Sequence, residues 1–207
     1  MNIDPAVETV LAEYEARAER EEALRDTLGP AEAERRIDEM LLPVGRATGA
    51  LLNLLAKEGC ARRILEVGSS FGYSTVWLAE AARAVHGKVI SLELKATKTE
   101  YATAQLARAG LADFVEFRVG DALASLAGLP GPFDLVLIDL WKDLYVPVFE
   151  LLYPKLAPGA LVIADNMIEP ASARPHAQAY AHAVHVARDM SSVLLPVGNG
   201  IELSRYR

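Results

Sequence analysis

The sequence is poor in the residues that several classes of protein depend on. It has a single cysteine, Cys60, in 207 residues. An internal disulfide needs two cysteines and a cysteine zinc site needs more, so both are excluded. Lys and Arg form no concentrated run, and the formal net charge is −7. Because nucleic acids and anionic membranes attract clustered positive charge, both are poor candidates as partners.

Long hydrophobic runs are also missing. No apolar run approaches the roughly 20 residues of a transmembrane helix, and the chain does not open with the charged and then apolar pattern of a signal peptide. We therefore expect a cytoplasmic protein with no membrane partner. Apolar residues make up 52% of the chain and charged residues 24%. This composition predicts one soluble domain, 1–207, with a sizeable core.

The first 60 residues show helical patterns and no strand pattern. Residues 4–28 predict a long helix, which Gly29-Pro30 interrupts. Residues 31–42 predict a second helix, and the apolar residues 50–57 predict a third. This extension, 1–60, could cap a pocket or form the surface of a homodimer.

Strand-like and helical patterns alternate from residue 61 to 207. Alternation indicates βαβ units, and hence a parallel sheet with helices on both faces. The last two strand patterns flank Gly198-Asn199-Gly200, which is typical of a hairpin. We predict a Rossmann-like α/β fold whose seven-stranded sheet is mostly parallel, with one antiparallel edge strand. The predicted strands are Ile64–Val67, Lys88–Glu93, Phe114–Val119, Phe133–Asp139, Ala160–Asp165, Val193–Val197 and Ile201–Tyr206.

A turn with two glycines joins the first of these strands to the following helix. Gly68 and Gly72 allow the backbone to approach a ligand closely, and the first turn of a helix offers unpaired N–H groups. The spacing is not G-x-G-x-x-G, so the tight start that brings a pyrophosphate onto a helix is missing. The stretch therefore favours a nucleoside cofactor without phosphates over NAD.

Acidic residues stand at the carboxyl ends of five predicted strands, where sheets of this kind bind ligands. Glu93 could bind both hydroxyls of a ribose or could cap the next helix. Asp121 could accept a hydrogen bond from an adenine amino group, beside Ala122, and cap its helix as well. The other three acids are Glu66, Asp139 and Asp165.

Oxygen ligands follow two of these strands. Asp139, Asp165 and Asn166 suit Mg²⁺ or another hard divalent cation, although the last two could merely cap a turn. Lys142 lies three residues after Asp139. It could act as a general base if its pKa falls, or it could be an exposed lysine beside Asp143.

Three segments together resemble one known family. Ile64-Leu-Glu-Val-Gly-Ser-Ser-Phe-Gly-Tyr-Ser74 resembles its cofactor motif, Asp139-Leu-Trp-Lys-Asp-Leu-Tyr145 its metal and base segment, and Ala164-Asp165-Asn166 its second metal segment. The family is the class I S-adenosylmethionine-dependent O-methyltransferases of the metal-dependent catechol O-methyltransferase type. The similarity runs from about Leu41 to Glu202.

The resemblance implies an activity and a set of site residues. The activity is transfer of a methyl group from S-adenosylmethionine to a hydroxyl of a small catechol-like aromatic acceptor. Lys142 would be the general base, and Mg²⁺ would be held by Asp139, Asp165 and Asn166. The implied cofactor contacts are Val44, Glu66, Gly68, Ser70, Gly72, Tyr73, Ser74, Glu93, Asp121, Ala122 and Asp139. The implied substrate contacts are Leu42, Trp141, Lys142, Asn166 and Glu202.

Some positions depart from the family pattern. Leu140 and Thr48 replace residues that are common in the family, and the segment 169–181 has little resemblance to it. The acceptor therefore stays open, and methylation of a nitrogen, or a binding protein without catalysis, is an alternative.

A hydrolase is the other alternative. Gly68-Ser-Ser-Phe-Gly72 fits the G-x-S-x-G pattern of the α/β-hydrolases. The context argues against this interpretation, because that motif normally follows several strands and here it follows only helices. The partner histidine would have to be His176, His182 or His185.

Overall fold

The computed structural model describes residues 3–207. Three helices precede the first strand: α1 (Pro5–Asp26), α2 (Pro30–Arg36) and α3 (Arg46–Glu58). Asp4 caps α1, because its carboxylate accepts a hydrogen bond of 2.9 Å from the Ala6 backbone N–H. Within residues 3–207, no helix combines the length and the apolarity that crossing a membrane requires.

The second predicted helix is shorter than expected. Helix α2 ends at Arg36, and only a 3₁₀ turn, Ile37–Glu39, follows it. The prediction of a helix to residue 42 is therefore wrong. Pro43 disfavours a helical conformation in the residue before it, and Leu42 has a φ of +43°, in the left-handed region.

The rest of the chain forms one seven-stranded sheet in the order β3-β2-β1-β4-β5-β7-β6. The first five strands run parallel to one another, and β7 runs antiparallel to both β5 and β6. The predicted fold class is confirmed, with β7 lying between β5 and the edge strand β6. The strands are β1 (Arg63–Val67), β2 (Lys88–Glu93), β3 (Val115–Val119), β4 (Phe133–Ile138), β5 (Leu156–Ala164), β6 (Met190–Leu195) and β7 (Ile201–Tyr206).

Helices cover both faces of the sheet. They are α4 (Tyr73–Ala84), α5 (Ala96–Arg108), α6 (Ala122–Gly128), α7 (Tyr145–Leu152) and α8 (Arg174–Val186). Because side chains alternate along a strand, Leu65 and Val136 pack toward α7 and α8, whereas Ile64 and Leu137 pack toward α3 and α4. Burial on both faces explains why β1 and β4 are nearly continuous apolar runs.

Helix α1 packs against helices α4 and α5 and is part of the same folded domain as the sheet. Val7, Val10, Leu11 and Tyr14 are fully or almost fully buried in a cluster with residues of α4 and α5. The N-terminal extension therefore contributes directly to the core around the turn that follows β1. Its predicted use as a homodimer surface stays a prediction.

Candidate active site

The turn after β1 is held in an unusual backbone conformation. Gly68 and Gly72 each have a φ of +94°, and Ser70 between them has a φ of +48°. A side-chain carbon on Gly68 would lie 2.8 Å from the carbonyl carbon of Asp139. The glycine is required because the turn runs directly against the residue that follows β4.

Glu93 holds this turn from the neighbouring strand. One carboxylate oxygen accepts from the Ser70 N–H at 2.8 Å, and the other accepts from the Lys95 N–H at 2.9 Å. A carboxylate oxygen can accept more than one hydrogen bond. The half-buried Glu93 therefore keeps acceptor capacity beyond these two bonds, and its binding of a ribose stays a prediction.

Asp121 lies beside Glu93 at the end of β3. The Gly120 N–H donates to the Glu93 carbonyl oxygen at 2.9 Å, which brings the two strand ends together. Asp121 caps α6 by accepting from the Ala124 N–H at 2.8 Å. Its side chain is exposed and Ala122 is half-buried, so both are accessible to a ligand.

Glu66 does not face a ligand, which corrects the prediction of a direct cofactor contact. It is fully buried and accepts hydrogen bonds of 2.6 Å from the hydroxyls of Ser74, Thr75 and Ser91. Burial raises the pKa of Glu66 to about 7, against the lowering effect of those three hydrogen bonds. Its place in the sequence motif is explained by these hydrogen bonds, which join β1 to the first turn of α4 and to β2.

A narrow cavity lies between the turn and the segment that precedes α3. Its lining includes five of the residues predicted to contact the cofactor, together with the predicted substrate contact Leu42. The lining residues are Leu41, Leu42, Pro43, Val44, Ser69, Ser70, Phe71, Tyr73, Ser74 and Asp139. A larger depression, lined by Gly159, Ser191, Arg205, Tyr206 and Arg207, lies among the other ends of β5, β6 and β7; we assign the site to the narrow cavity because the carboxyl ends of the strands meet there.

Helix α1 fixes both walls of this cavity. Tyr14 donates a hydrogen bond of 2.6 Å to the Phe71 carbonyl oxygen. Glu21 accepts one of 2.6 Å from the Leu41 N–H. The guanidinium of Arg17 lies 4.2 Å from the centre of the Phe71 ring. The N-terminal extension thus covers the outside of the turn and holds the opposite segment in place.

Asp139 and Asp165 come together at the ends of two neighbouring strands. The Asp139 N–H donates to Val67 at 2.9 Å and the Asp165 N–H donates to Ile138 at 3.1 Å, so both residues extend the sheet by one position. Asp165 is buried, and its Oδ1 has no hydrogen-bond partner within residues 3–207. Burial, reinforced by the negative charge of Asp139, raises the pKa of Asp165 to about 7.

These residues fit a hard cation. Two neighbouring carboxylates, one with an unpaired buried oxygen, form an environment that a positive ion would stabilise. In the described part of the chain, no three or more His, Cys, Asp or Glu side chains cluster as a metal site. A third protein ligand would therefore come from the amide oxygen of Asn166, which follows Asp165 with a φ of +56°.

Lys142 belongs to the same group of side chains. Its Nζ lies 3.3 Å from the Asp139 carboxylate and donates a hydrogen bond to the Tyr145 hydroxyl. The Tyr145 hydroxyl in turn donates to the Asp165 carbonyl oxygen at 3.0 Å. The lysine side chain is only 16% exposed, so the alternative of an exposed lysine beside Asp143 is wrong.

Two apolar residues and one acidic residue lie on the segments next to this polar group. Leu42 and Trp141 are exposed by 47% and 58%, and their contact with an aromatic acceptor stays a prediction. Glu202 is 6% exposed, and β7 pairs it with Ala164, the residue before Asp165. The expectation for Glu202 from strand alternation alone, an outward-facing side chain, is therefore wrong.

Sequence reasoning did not identify three residues of this region. Tyr145 could have been found, since it follows Lys142 by three residues at a helix start. Leu94, next to Glu93, is 63% exposed, but an exposed leucine has no signal in the sequence. Lys98 is 9% exposed and its Nζ lies 3.3 Å from the Ser70 hydroxyl, a contact that only the fold creates.

The hydrolase alternative finds no support in the geometry. Ser70 has Lys98 and not a histidine as its side-chain neighbour. Across residues 3–207, no histidine side chain takes part in a side-chain hydrogen bond with Ser70. The three histidines of α8 are all exposed to solvent: His176, His182 and His185.

Known proteins with a similar sequence or fold agree with the resemblance. A family model described as a methyltransferase domain matches residues 65–167. The catechol O-methyltransferase of Mycobacterium tuberculosis is 42% identical over 128 residues, which are 61% of this chain and 58% of that protein. This chain thus spans little more than half the length of that relative.

Two further proteins match over longer stretches. Caffeoyl-CoA O-methyltransferase 1 of Eucalyptus globulus is 30% identical over 177 residues, 76% of this chain and 72% of that protein. The crystal structure of an O-methyltransferase from Bacillus cereus in complex with S-adenosylhomocysteine superposes with a TM-score of 0.75 at 27% identity, covering 94% of this chain and 100% of that one. The chain belongs to the class I S-adenosylmethionine-dependent O-methyltransferase family that includes the catechol and caffeoyl-CoA enzymes.

Proposed function

We propose that the protein transfers a methyl group from S-adenosylmethionine to one hydroxyl of a small catechol-like aromatic acceptor, with the help of a hard divalent cation such as Mg²⁺. One observation above all supports this function. The buried, unpaired carboxylate oxygen of Asp165 lies beside Asp139 and Lys142, and Asp139 lies directly against the glycine turn. The candidate cation site and the candidate cofactor site are therefore adjacent.

The cofactor would lie across the turn after β1. Glu93 would bind the ribose hydroxyls, and the exposed Asp121 would bind the adenine amino group. The exposed side chain of Leu94 would cover one face of the adenine. Ser70, Tyr73 and the other lining residues of the narrow cavity would hold the methionine part near Asp139. The Bacillus cereus relative was crystallised with S-adenosylhomocysteine, which supports a cofactor of this kind.

Asp139, Asp165 and Asn166 would hold the cation. When bound there, a divalent cation supplies positive charge that favours ionisation of an acceptor hydroxyl and fixes its orientation. The two carboxylates provide the charge that balances the cation. Mg²⁺ is commonly bound by only one or two protein carboxylates, so a cation held there would be compatible with an oxygen-rich acceptor such as a catechol.

Lys142 would take the proton of the reacting hydroxyl. Its Nζ, as the neutral amine, accepts that proton, and the acceptor oxygen then forms a bond to the methyl carbon as the carbon–sulfur bond breaks. The bonding electrons go to sulfur, so S-adenosylhomocysteine leaves as a neutral thioether. The sulfonium is already activated, so positioning is the main task of the protein.

The acceptor would lie between apolar walls with one acidic end. Leu42 and Trp141 offer exposed apolar surface for an aromatic ring. Glu202 is buried next to the Asp165 segment. Its carboxylate would accept a hydrogen bond from the hydroxyl that is not methylated, which favours two neighbouring hydroxyls over one.

The test is a methyl-transfer assay with isotope-labelled S-adenosylmethionine. Catechols, caffeoyl esters and flavonoids serve as acceptors, with phenols that have one hydroxyl and aromatic amines as controls. Each reaction is run with Mg²⁺ and with excess chelator. We expect methyl ethers of the catechol-type compounds only, and only with the cation. Equal turnover of one-hydroxyl phenols in chelator, or methylation of amines alone, would contradict the proposal.

A further inference from the structure

The hydroxyl of Tyr145 lies between the candidate base and the candidate cation segment. It accepts a hydrogen bond from the Lys142 Nζ and donates one of 3.0 Å to the carbonyl oxygen of Asp165. The side chain is fully buried. A single hydroxyl thus connects the side chain of Lys142, which follows β4, to the backbone of Asp165, which follows β5.

We propose that Tyr145 is a positioning residue for Lys142, an inference that rests on the proposed function. Its one proton is committed to the Asp165 carbonyl, so toward Lys142 the hydroxyl can only accept. It can therefore hold one N–H of the lysine whether Lys142 is an ammonium or a neutral amine. The lone pair of the neutral amine stays free for the acceptor hydroxyl.

Tyr145 itself is rigidly placed. It is the first residue of α7, and its ring packs edge to face on the Tyr180 ring with centroids 5.6 Å apart. A lysine has four rotatable side-chain bonds and loses considerable entropy when held in one place. A fixed acceptor near its tip limits where the amine can lie, and ties that position to Asp165.

Asp139 alone is a poorer anchor for the base. Its carboxylate lies 3.3 Å from Lys142, but Asp139 is also a candidate cation ligand. An oxygen that serves a cation has less capacity to hold an amine. The neutral hydroxyl of Tyr145 is not in this competition, because its donor and acceptor roles are both directed within the protein.

The test compares Tyr145→Phe with Tyr180→Phe. Both replacements remove a buried hydroxyl from the same aromatic cluster, and the Tyr180 hydroxyl has no hydrogen-bond partner in the described residues. We expect Tyr145→Phe to lower kcat about 10- to 100-fold, the scale of misplaced reacting groups. The KM for the acceptor and the Kd for S-adenosylhomocysteine should stay within about twofold, and Tyr180→Phe should leave kcat within about twofold.

A double-mutant cycle with Lys142→Met separates positioning from a general structural effect. If Tyr145 acts through Lys142, Tyr145→Phe should cause no further loss of kcat in the Lys142→Met background. An equal loss in both backgrounds, or an unchanged kcat in the single variant, would overturn the inference. A parallel loss of S-adenosylhomocysteine affinity would overturn it as well, since that outcome describes a damaged fold.

A spectroscopic measurement on the wild-type protein needs no stable variant. The two Hε protons of Lys142, assigned in the wild-type protein through the bonds that join them to its own backbone, should have distinct NMR shifts when the side chain is fixed. Merged signals in the wild-type protein would overturn the inference. Absence of wild-type methyl transfer would reject the proposed function and this inference together, whereas wild-type turnover with a fully active Tyr145→Phe would reject the inference alone.

Discussion

A side-chain carbon on Gly68 would lie 2.8 Å from the carbonyl carbon of Asp139, and closer still to its oxygen. No room for a methyl group exists between the turn after β1 and the residue after β4. The turn that would hold the cofactor and the segment that would hold the cation and the base are therefore in direct backbone contact. A shift of one must be transmitted to the other, because packed interiors do not deform freely.

Gly68→Ala should destabilise the protein more than its backbone angle alone explains. A non-glycine residue in the left-handed region costs about 1–2 kcal/mol, and forcing a methyl group into filled space costs roughly another 1–3 kcal/mol. Gly110 is the matched control, because it has a φ of +67° with no atom within 4 Å of an added side-chain carbon.

Urea denaturation measures both effects. Gly110→Ala should show only the cost of the backbone angle, and Gly68→Ala should unfold at clearly lower urea and bind S-adenosylhomocysteine more weakly. Equal midpoints for the two variants would mean that the contact between Gly68 and Asp139 relaxes without cost.

The acidic residues at the strand ends could be predicted from the sequence because they occur in a simple pattern. Glu93, Asp139 and Asp165 each follow an apolar run, and parallel strands bring such ends to one edge. Glu66 has the same pattern, but it lies one residue before the strand end. Because side chains alternate along a strand, its carboxylate is directed toward the hydroxyls of Ser74, Thr75 and Ser91 inside the protein. Contacts between distant segments, such as Lys98 with Ser70, depend on how helices pack, which no local pattern encodes.

Glu93→Ala should weaken binding of S-adenosylhomocysteine by about 1.5–3 kcal/mol, or roughly 10- to 150-fold in Kd, the scale of charge-assisted hydrogen bonds. The physical reason is the loss of acceptors for the ribose hydroxyls. Calorimetry gives the Kd, and Glu100→Ala, an exposed acid on α5, should leave it unchanged.

A cofactor analogue separates ribose binding from support of the turn, because Glu93 also accepts from the Ser70 N–H. The wild-type protein should prefer S-adenosylhomocysteine over its 2′,3′-dideoxy analogue, and Glu93→Ala should lose that preference. A preference that survives the substitution would assign the ribose to other residues.

Glu66 should make folding stability depend on pH. Burial raises its pKa from 4.5 to about 7 in the folded protein, so the folded state binds this proton more tightly than the unfolded state. Stability contributed by this group is fully present below about pH 4.5 and is lost as the pH rises to about 7, by roughly 3 kcal/mol in total.

Glu66→Gln should remove this part of the pH dependence. The amide stays neutral, so the free energy of unfolding should fall less between pH 4.5 and 7 than in the wild-type protein, and at pH 8 the variant should be at least as stable. Denaturant titrations at several pH values test this, with the exposed Glu58→Gln as control. If the free energy of unfolding of Glu66→Gln depended on pH as it does in the wild-type protein, a group other than Glu66 would bind the proton.

Asp165→Asn should abolish cation binding and spare the cofactor. In the wild-type protein the buried Asp165 has an unpaired Oδ1 and lies close to the charge of Asp139, an arrangement whose cost a divalent cation offsets. Mn²⁺ should therefore bind the wild-type protein without acceptor and stabilise it, by about 2.7 kcal/mol at 100 times its Kd.

Asp143→Asn is the matched control for Asp165→Asn, since Asp143 is an exposed acid next to Lys142. Calorimetry with Mn²⁺ should give similar affinities for the wild-type protein and Asp143→Asn. For Asp165→Asn the affinity should fall by more than the 10- to 100-fold that supporting residues of metal sites contribute. Affinity for S-adenosylhomocysteine should be the same in all three, because Asp165 is not among the residues that line the narrow cavity. Equal Mn²⁺ binding by Asp165→Asn would show that the cation, if one is used, lies elsewhere.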